Sequence, residues 1–374
     1  MTAHSGPTTI HGTASTPTTR VGIVGTGWRA NLFARIINAL PEEFELVGVT
    51  ARTRESAESG ATRWGTTAHE TPAALVAATR PDVTIVSVPS AASPDVIEAV
   101  VNAGSHVLAE TPPGERLADL HRLWAAVGHL NRVQVAEQYL LLPGHAARLA
   151  AVRGGLIGHV TCVEVSSTHD YHAVSLMRGF LGHTGNAPVR VLPQRFKTPI
   201  VDAQSRDGWS EDLEVRTRCT TIATLDFGHG HGLYDFTDNQ WHNQLRHRRI
   251  LIRGTHGEIM DDDVLRLAGP GQIVRSEFQR YQLGYDLNLD GYDTEHISLN
   301  GEVLWTNPFL GKRFMDEEIA MATLVRTTAA WARDEGPAPY PLARACQDHA
   351  IALAIHERPE TPDGATEQGP WDEV

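Results

Sequence analysis

One short stretch, Gly25-Thr26-Gly27-Trp28-Arg29-Ala30, limits what this chain can become more than any other. It lies between an apolar run, Arg20 to Val24, and a segment in which Trp28, Leu32, Phe33, Ile36, Ile37 and Leu40 recur at helical spacing until Pro41 stops them. The order is strand, glycine turn, helix. Gly25 permits the tight turn, Gly27 lets a pyrophosphate approach the backbone, and small Ala30 lets the helix lie close on a sheet. Free amides at the helix start then face the anion, which places Thr26, Trp28 and Arg29 beside it as well. A GxGxxA pattern alone is a common turn; the strand before it and the helix after it give this one its weight.

The alternation continues downstream. Leu46 to Thr50 reads as a strand, Thr71-Pro72 opens a helix, Val83 to Val88 is a buried strand, Pro94 to Ala103 a helix, and His106 to Glu110 and Val133 to Ala136 are further strands. Such alternation predicts a doubly wound parallel sheet, a Rossmann domain over residues 20–142, in an α/β chain. Ligands gather at strand carboxyl ends in these sheets, so Pro89-Ser90, Glu110-Thr111-Pro112 and Glu137-Gln138 are expected around a dinucleotide. The second strand ends in Ala51-Arg52-Thr53-Arg54, where NAD-binding folds place a ribose-gripping carboxylate. Ala51 cannot accept that hydrogen bond, whereas the Arg52 fork, with Thr53 beside it, suits a 2′-phosphate. NADP(H) is therefore favoured over NAD(H). The plainer alternative makes Arg52 and Arg54 solvated charges before a helix.

At 374 residues the chain has room for two domains. A net charge of −13 without a basic cluster excludes a nucleic-acid partner, and no apolar run has the length of a membrane span. A small-molecule substrate is the expected partner. Cys162, Cys219 and Cys346 are widely spaced and form no CxxC, so neither a disulfide framework nor a zinc site is indicated, and a cytoplasmic location fits. Residues 1–19 have no apolar core of a signal peptide and are expected to be a flexible tail, as are residues 359–374.

These pieces together resemble the glucose-fructose oxidoreductase, inositol dehydrogenase and rhizopine-catabolism family (Gfo/Idh/MocA). The resemblance rests on Gly25-Thr26-Gly27, Val86 to Ser90, Gly104 to Pro112, Gly154 to Val160 and the Ala343 to His356 helix. It implies a second domain, residues 143–358, built as an α+β unit on a large, open, mostly antiparallel sheet. It also implies a homo-oligomer, dimer or tetramer, formed through that sheet. Strand-rich Cys219 to Phe227 and Gly232 to Thr237 agree. The family's Glu-Lys-Pro lysine is absent, because this chain has Glu110-Thr111-Pro112. Gln138 stands where Asn is usual, and Leu140 where Arg is common.

Oxidising an alcohol requires a base at the hydroxyl, and reducing a carbonyl requires the matching acid. His172, in His169-Asp170-Tyr171-His172, matches the family's active-site histidine, with Ser175 replacing an aspartate three residues on. Imidazole is the side chain that ordinarily titrates near neutrality, and Asp170 or His169 could orient it; a helix histidine bonded to backbone is the alternative. Only two lysines occur, Lys197 and Lys312. Lys197, taken as a loop residue in Arg195 to Pro199, is a secondary candidate for the missing ammonium, against a plain surface lysine. Tyr171, Asn239, Trp241 and His242 are the expected substrate contacts, since indole, amide and imidazole groups suit a polyol; a sheet-edge or subunit contact is the alternative. His229-Gly230-His231 and Asp261 to Asp263 read as turns rather than metal sites. The chemistry so described is hydride exchange with a sugar, cyclitol or related polar metabolite. Its rivals are a non-catalytic dinucleotide sensor or scaffold, motivated by the missing lysine, and imine or enone reduction.

Overall fold

The chain begins with the expected alternation: β1 (Thr19–Val24), α1 (Trp28–Ala39), β2 (Phe44–Thr50), α2 (Arg54–Trp64), β3 (Ala68–His69), α3 (Pro72–Thr79), β4 (Val83–Val86), α4 (Ser93–Asn102), β5 (His106–Ala109), α5 (Leu117–Val127) and β6 (Val133–Val135). The computed structural model describes residues 18–205, 208–284, 293–357 and 363–371. All six strands are parallel, in the order β3-β2-β1-β4-β5-β6. Helices on both faces explain why β4 is buried throughout rather than alternating. The order reverses between β1 and β4, which opens a crevice beyond their carboxyl ends. Thr53 and Thr71 cap α2 and α3, accepting from the Ser56 and Ala74 amides at 3.2 and 3.1 Å.

The rest of the chain forms α6 (Pro143–Arg153), β7 (Val160–Val165), α7 (Asp170–Leu181), β8 (Arg190–Val201), β9 (Gln204–Ser205), β10 (Gly208–Trp209), β11 (Val215–Asp226), β12 (His231–Thr237), β13 (Ile250–Gly254), β14 (Gly257–Met260), β15 (Asp263–Gly269), β16 (Gln272–Glu277), β17 (Gln279–Leu283), β18 (Asp293–Leu299), β19 (Glu302–Thr306), α8 (Asp316–Ala332) and α9 (Leu342–His356). Eight of these strands make one sheet, β16-β15-β14-β13-β7-β12-β11-β8, antiparallel except at the β7–β12 pair. Helices α7 and α9 cover one face, where Val174, Met177 and Ile351 meet Val163, Leu225 and Tyr234. The opposite face leaves Leu192, Phe196, Leu267 and Ile273 exposed. Lys197 lies within β8, not on a loop, and pairs in register with Cys219. Pro193 and Pro199 make this stretch read as irregular, yet β8 is an edge strand, where a missing donor is tolerated.

The second unit is not separate in space. Phe309, Ile319, Leu324 and Val325 enter the same core as Val21, Phe33 and Ile36 of the Rossmann layer. Arg326 Nε reaches Glu43 at 2.7 Å, and Lys312 Nζ reaches the Ala39 carbonyl at 2.9 Å and Glu42 at 2.7 Å. The start of α9 likewise packs Leu342 and Cys346 on Leu120 and Val135. The tail expected over residues 1–19 lies outside the described residues up to residue 17, and Thr19 already belongs to β1. The segment expected as a C-terminal tail does pack where described. Trp371 is 1% exposed and donates Nε1–H to Gln347 Oε1 at 2.8 Å. A single large apolar side chain outweighs the polar, Pro- and Gly-containing sequence around it.

Candidate active site

The turn after β1 is shaped by contact. Gly25 has φ +113°, and a Cβ there would lie 1.9 Å from the Ser87 carbonyl oxygen. No side chain fits. Gly27 differs: a Cβ would meet no atom of the described residues within 4 Å, so its surface there is open to a ligand. Helix α1 has no side-chain cap among the described residues and no acid in its first turn, so the positive end of its dipole faces the turn. Thr26 packs toward Gly60, Trp28 is 57% exposed, and Pro89 and Ser90 border the turn before α4. Arg52 is exposed just beyond β2, while Thr53 is engaged as the α2 cap.

Arg29 points inward. Its Nε is 2.6 Å from Glu110, and it also pairs with Glu317 at the start of α8. Burial alone would lower the pKa of this guanidinium, but the Glu110 and Glu317 carboxylates outweigh burial and raise it above the ordinary value. Gln138, 3% exposed, donates to Glu317 at 3.3 Å. Glu110 also accepts from the Thr111 amide at 3.1 Å, ahead of a cis Thr111–Pro112 bond. These residues fix the ends of β5 and β6 against α1 and α8.

Beside them is a buried acid–imidazole pair. His172 Nδ1 lies 2.6 Å from Glu137 Oε2, with the two residues 7% and 3% exposed. Glu137 follows β6, and its second oxygen accepts from the Tyr139 amide at 3.1 Å. Tyr139 and Tyr171 hold the imidazole between rings at centroid distances of 4.3 and 4.4 Å. Ser175 bonds the His172 carbonyl at 2.9 Å. A carboxylate at Nδ1 keeps the proton on that nitrogen and leaves Nε2 as the acceptor. Burial raises the Tyr171 phenol well above its usual range, Thr111 beside it opposing; it stays a neutral hydrogen-bonding group.

Residues 19–138 match the sequence profile described as the Gfo/Idh/MocA oxidoreductase family, NAD-binding Rossmann fold. This part of the chain is similar to the NAD-binding domain of the Gfo/Idh/MocA family. Solved structures extend the likeness over the second unit, as fold alone. Levoglucosan dehydrogenase in complex with NADH and L-sorbose matches with a TM-score of 0.63 at 16% identity, covering 91% of this chain and 96% of that one. A protein provisionally named a myo-inositol dehydrogenase, from Sinorhizobium meliloti, gives 0.61 at 17% identity over 90% and 96%. One provisionally named an NADPH-dependent oxidoreductase, from Desulfitobacterium hafniense, gives 0.63 at 15% over 91% and 96%. A comparison with curated protein sequences finds no match.

Neither lysine of the chain lies beside Thr111. Lys197 is exposed on β8, and Lys312 is tied to the end of α1. Asp170 does not orient His172. It begins α7 at φ +47° and meets His356 Nε2 at 2.5 Å, at the end of α9. Trp241 stacks on Phe236 and on His169, with centroids 5.4 and 4.7 Å apart, and His169 in turn lies 5.4 Å from His172. Trp241, His169 and His172 thus form one continuous aromatic wall. Asn239 to His242 are not sheet residues but a turn beyond β12; Asn239 is committed to Asp202 and Gln204 at 3.2 and 3.1 Å, and half-buried His242 adjoins Trp241 at 5.9 Å. Sequence reasoning placed Glu137 near the cofactor without seeing its bond to His172. Its position one residue past Ala136, at a strand end like Glu110, was the available signal.

Proposed function

We propose that the protein is an NADP(H)-preferring oxidoreductase acting on a hydroxyl or carbonyl of a sugar, cyclitol or related polar metabolite. The observation that carries this reading is the buried Glu137–His172 pair at the carboxyl end of β6, the strand-end zone of the Gfo/Idh/MocA dinucleotide crevice. The turn fits a dinucleotide on two counts, the open face of Gly27 and the uncapped start of α1. Nicotinamide, when bound, accepts or supplies the hydride. His172 Nε2 takes the proton of the substrate hydroxyl, or returns it to a carbonyl oxygen, while Glu137 stabilises the imidazolium. Tyr171 and Thr111 offer neutral hydrogen bonds where the family lysine would offer a cation. Trp241 presents a stacking face to the apolar side of a ring. Exposed Arg52, with no carboxylate at Ala51, supports the preference for the 2′-phosphate.

The test is turnover of a polyol and ketose panel followed at 340 nm, with NADPH and NADH compared. The wild-type protein reduces or oxidises a panel member with NADPH preferred, and His172→Gln lowers kcat by about 10²-fold or more while dinucleotide affinity is kept. Equal turnover in the variant removes His172 from the chemistry. The absent lysine favours one rival, a dinucleotide sensor, which predicts tight nucleotide binding and no turnover of any panel member.

A further inference from the structure

Behind the Glu137–His172 pair, on the side of α9, lies a small cleft lined by Thr111, Glu137, Tyr171, Asp348 and His349 among others. The space open to a water centre is about 10 Å³, room for a single water. Asp348 is already committed to Arg178 and Tyr340. His349 is not so satisfied. Its ring is 7% exposed and 5.5 Å from that of Tyr171, and its Nε2 lies 3.2 Å from the Glu115 carbonyl. A carbonyl only accepts, so Nε2 carries the hydrogen and Nδ1 is left with a lone pair. That Nδ1 is buried and makes no hydrogen bond to any of the described residues. A buried acceptor without a donor costs on the order of 1–3 kcal/mol, and the cleft it lines also carries a carboxylate.

We propose that a water in this cleft joins Glu137 to His349 Nδ1, and that His349 is a positioning residue through which the proton collected by His172 leaves the site. The inference rests on the oxidoreductase reading for its direction, not for the water link itself. In alcohol oxidation the substrate O–H proton passes to His172 Nε2 as the hydride leaves carbon. The Nδ1 proton of His172 moves to Glu137, Glu137 protonates the water, and the water gives one of its own protons to His349 Nδ1. His349 then loses its Nε2 proton to solvent at exposed Glu115. No oxidant beyond the nicotinamide is needed; each imidazole ends in its other tautomer and turns about its Cβ–Cγ bond before the next turnover, and every other group ends as it began. Burial lowers the pKa of His349, so it passes a proton on rather than storing it.

The first test is nitrogen NMR of the full chain with labelled histidine rings, assigned with His349→Gln. The expected result is a neutral Nε2–H tautomer at His349 with a hydrogen-bonded Nδ1 whose signal moves in Glu137→Gln. An Nδ1–H tautomer, or an Nδ1 signal indifferent to Glu137→Gln, overturns the link whether or not a substrate is known. The second test uses any alcohol the protein oxidises. His349→Gln is expected to lower kcat by about tenfold, raise the solvent deuterium effect and diminish the substrate C–H effect, with KM within about twofold. A lowered kcat with both isotope effects unchanged makes His349 merely structural. Failure of the oxidoreductase reading is separately visible, as absence of dinucleotide binding and of all turnover.

Discussion

Two glycines two positions apart have opposite constraints, and the difference can be measured. Gly27 has φ −68° and open space where a Cβ would go, so Gly27→Ala is compatible with the fold. It should leave thermal stability within about 0.5 kcal/mol and weaken dinucleotide binding by at least about tenfold, read by melting curves and a fluorescence titration. Gly25→Ala meets the Ser87 carbonyl and should lower stability as well. An unchanged affinity in Gly27→Ala would move the phosphate site elsewhere. This part of the site is legible in sequence because strand, turn and helix are contiguous. The Glu137–His172 bond is not, since its partners are 35 residues apart and meet only when α7 packs behind β6. Asp170, two residues from His172, was the nearer carboxylate in sequence, but the start of α7 directs it to His356.

At the scale of elements, α7 carries the site and shows how it is held. Arg178, 1% exposed, pairs with Asp348 of α9 and also bonds the Arg344 and Gly185 carbonyls, locking the two helices together. A histidine flanks each end of α7, and burial depresses both, His169 and His183, to about 4. Their ordinary value is 6.5, so between pH 6.5 and 4 the unfolded chain binds more protons than the folded one. Stability is therefore full above pH 6.5 and falls as pH drops toward 4, by at most about 1.4 kcal/mol per pH unit for each ring. His356 acts on the other side: its bond to Asp170 raises its pKa, a contribution present below 6.5 and lost on the alkaline side. Denaturant unfolding at pH 7, 5.5 and 4.5 should show the fall, and His183→Gln should flatten it; a flat profile in the wild type would contradict this burial. That α7 is a helix is implied by the resemblance of the His169 to Arg178 stretch to the family's histidine-bearing helix. The edge strand β8 is not legible in the sequence, because prolines and exposed charges hide its alternation.

At the scale of the molecule, the reversal of strand order between β1 and β4 and the return of α8 onto α1 determine where a ligand can sit. The alternation that predicts the parallel sheet is strong in sequence, since the central strand β4 is buried along its whole length. The return of α8 and the seating of Trp371 depend on contacts between residues hundreds of positions apart, such as Arg29 with Glu317, and no local pattern announces them. The proposed dinucleotide site takes the Gly25 to Ala30 turn as its floor and the Glu137–His172 pair as its wall. Calorimetric titration of the full chain with NADPH and with NADH tests that directly. One nucleotide should bind per chain, NADPH more tightly than NADH, whereas no affinity for either would contradict the account at its base.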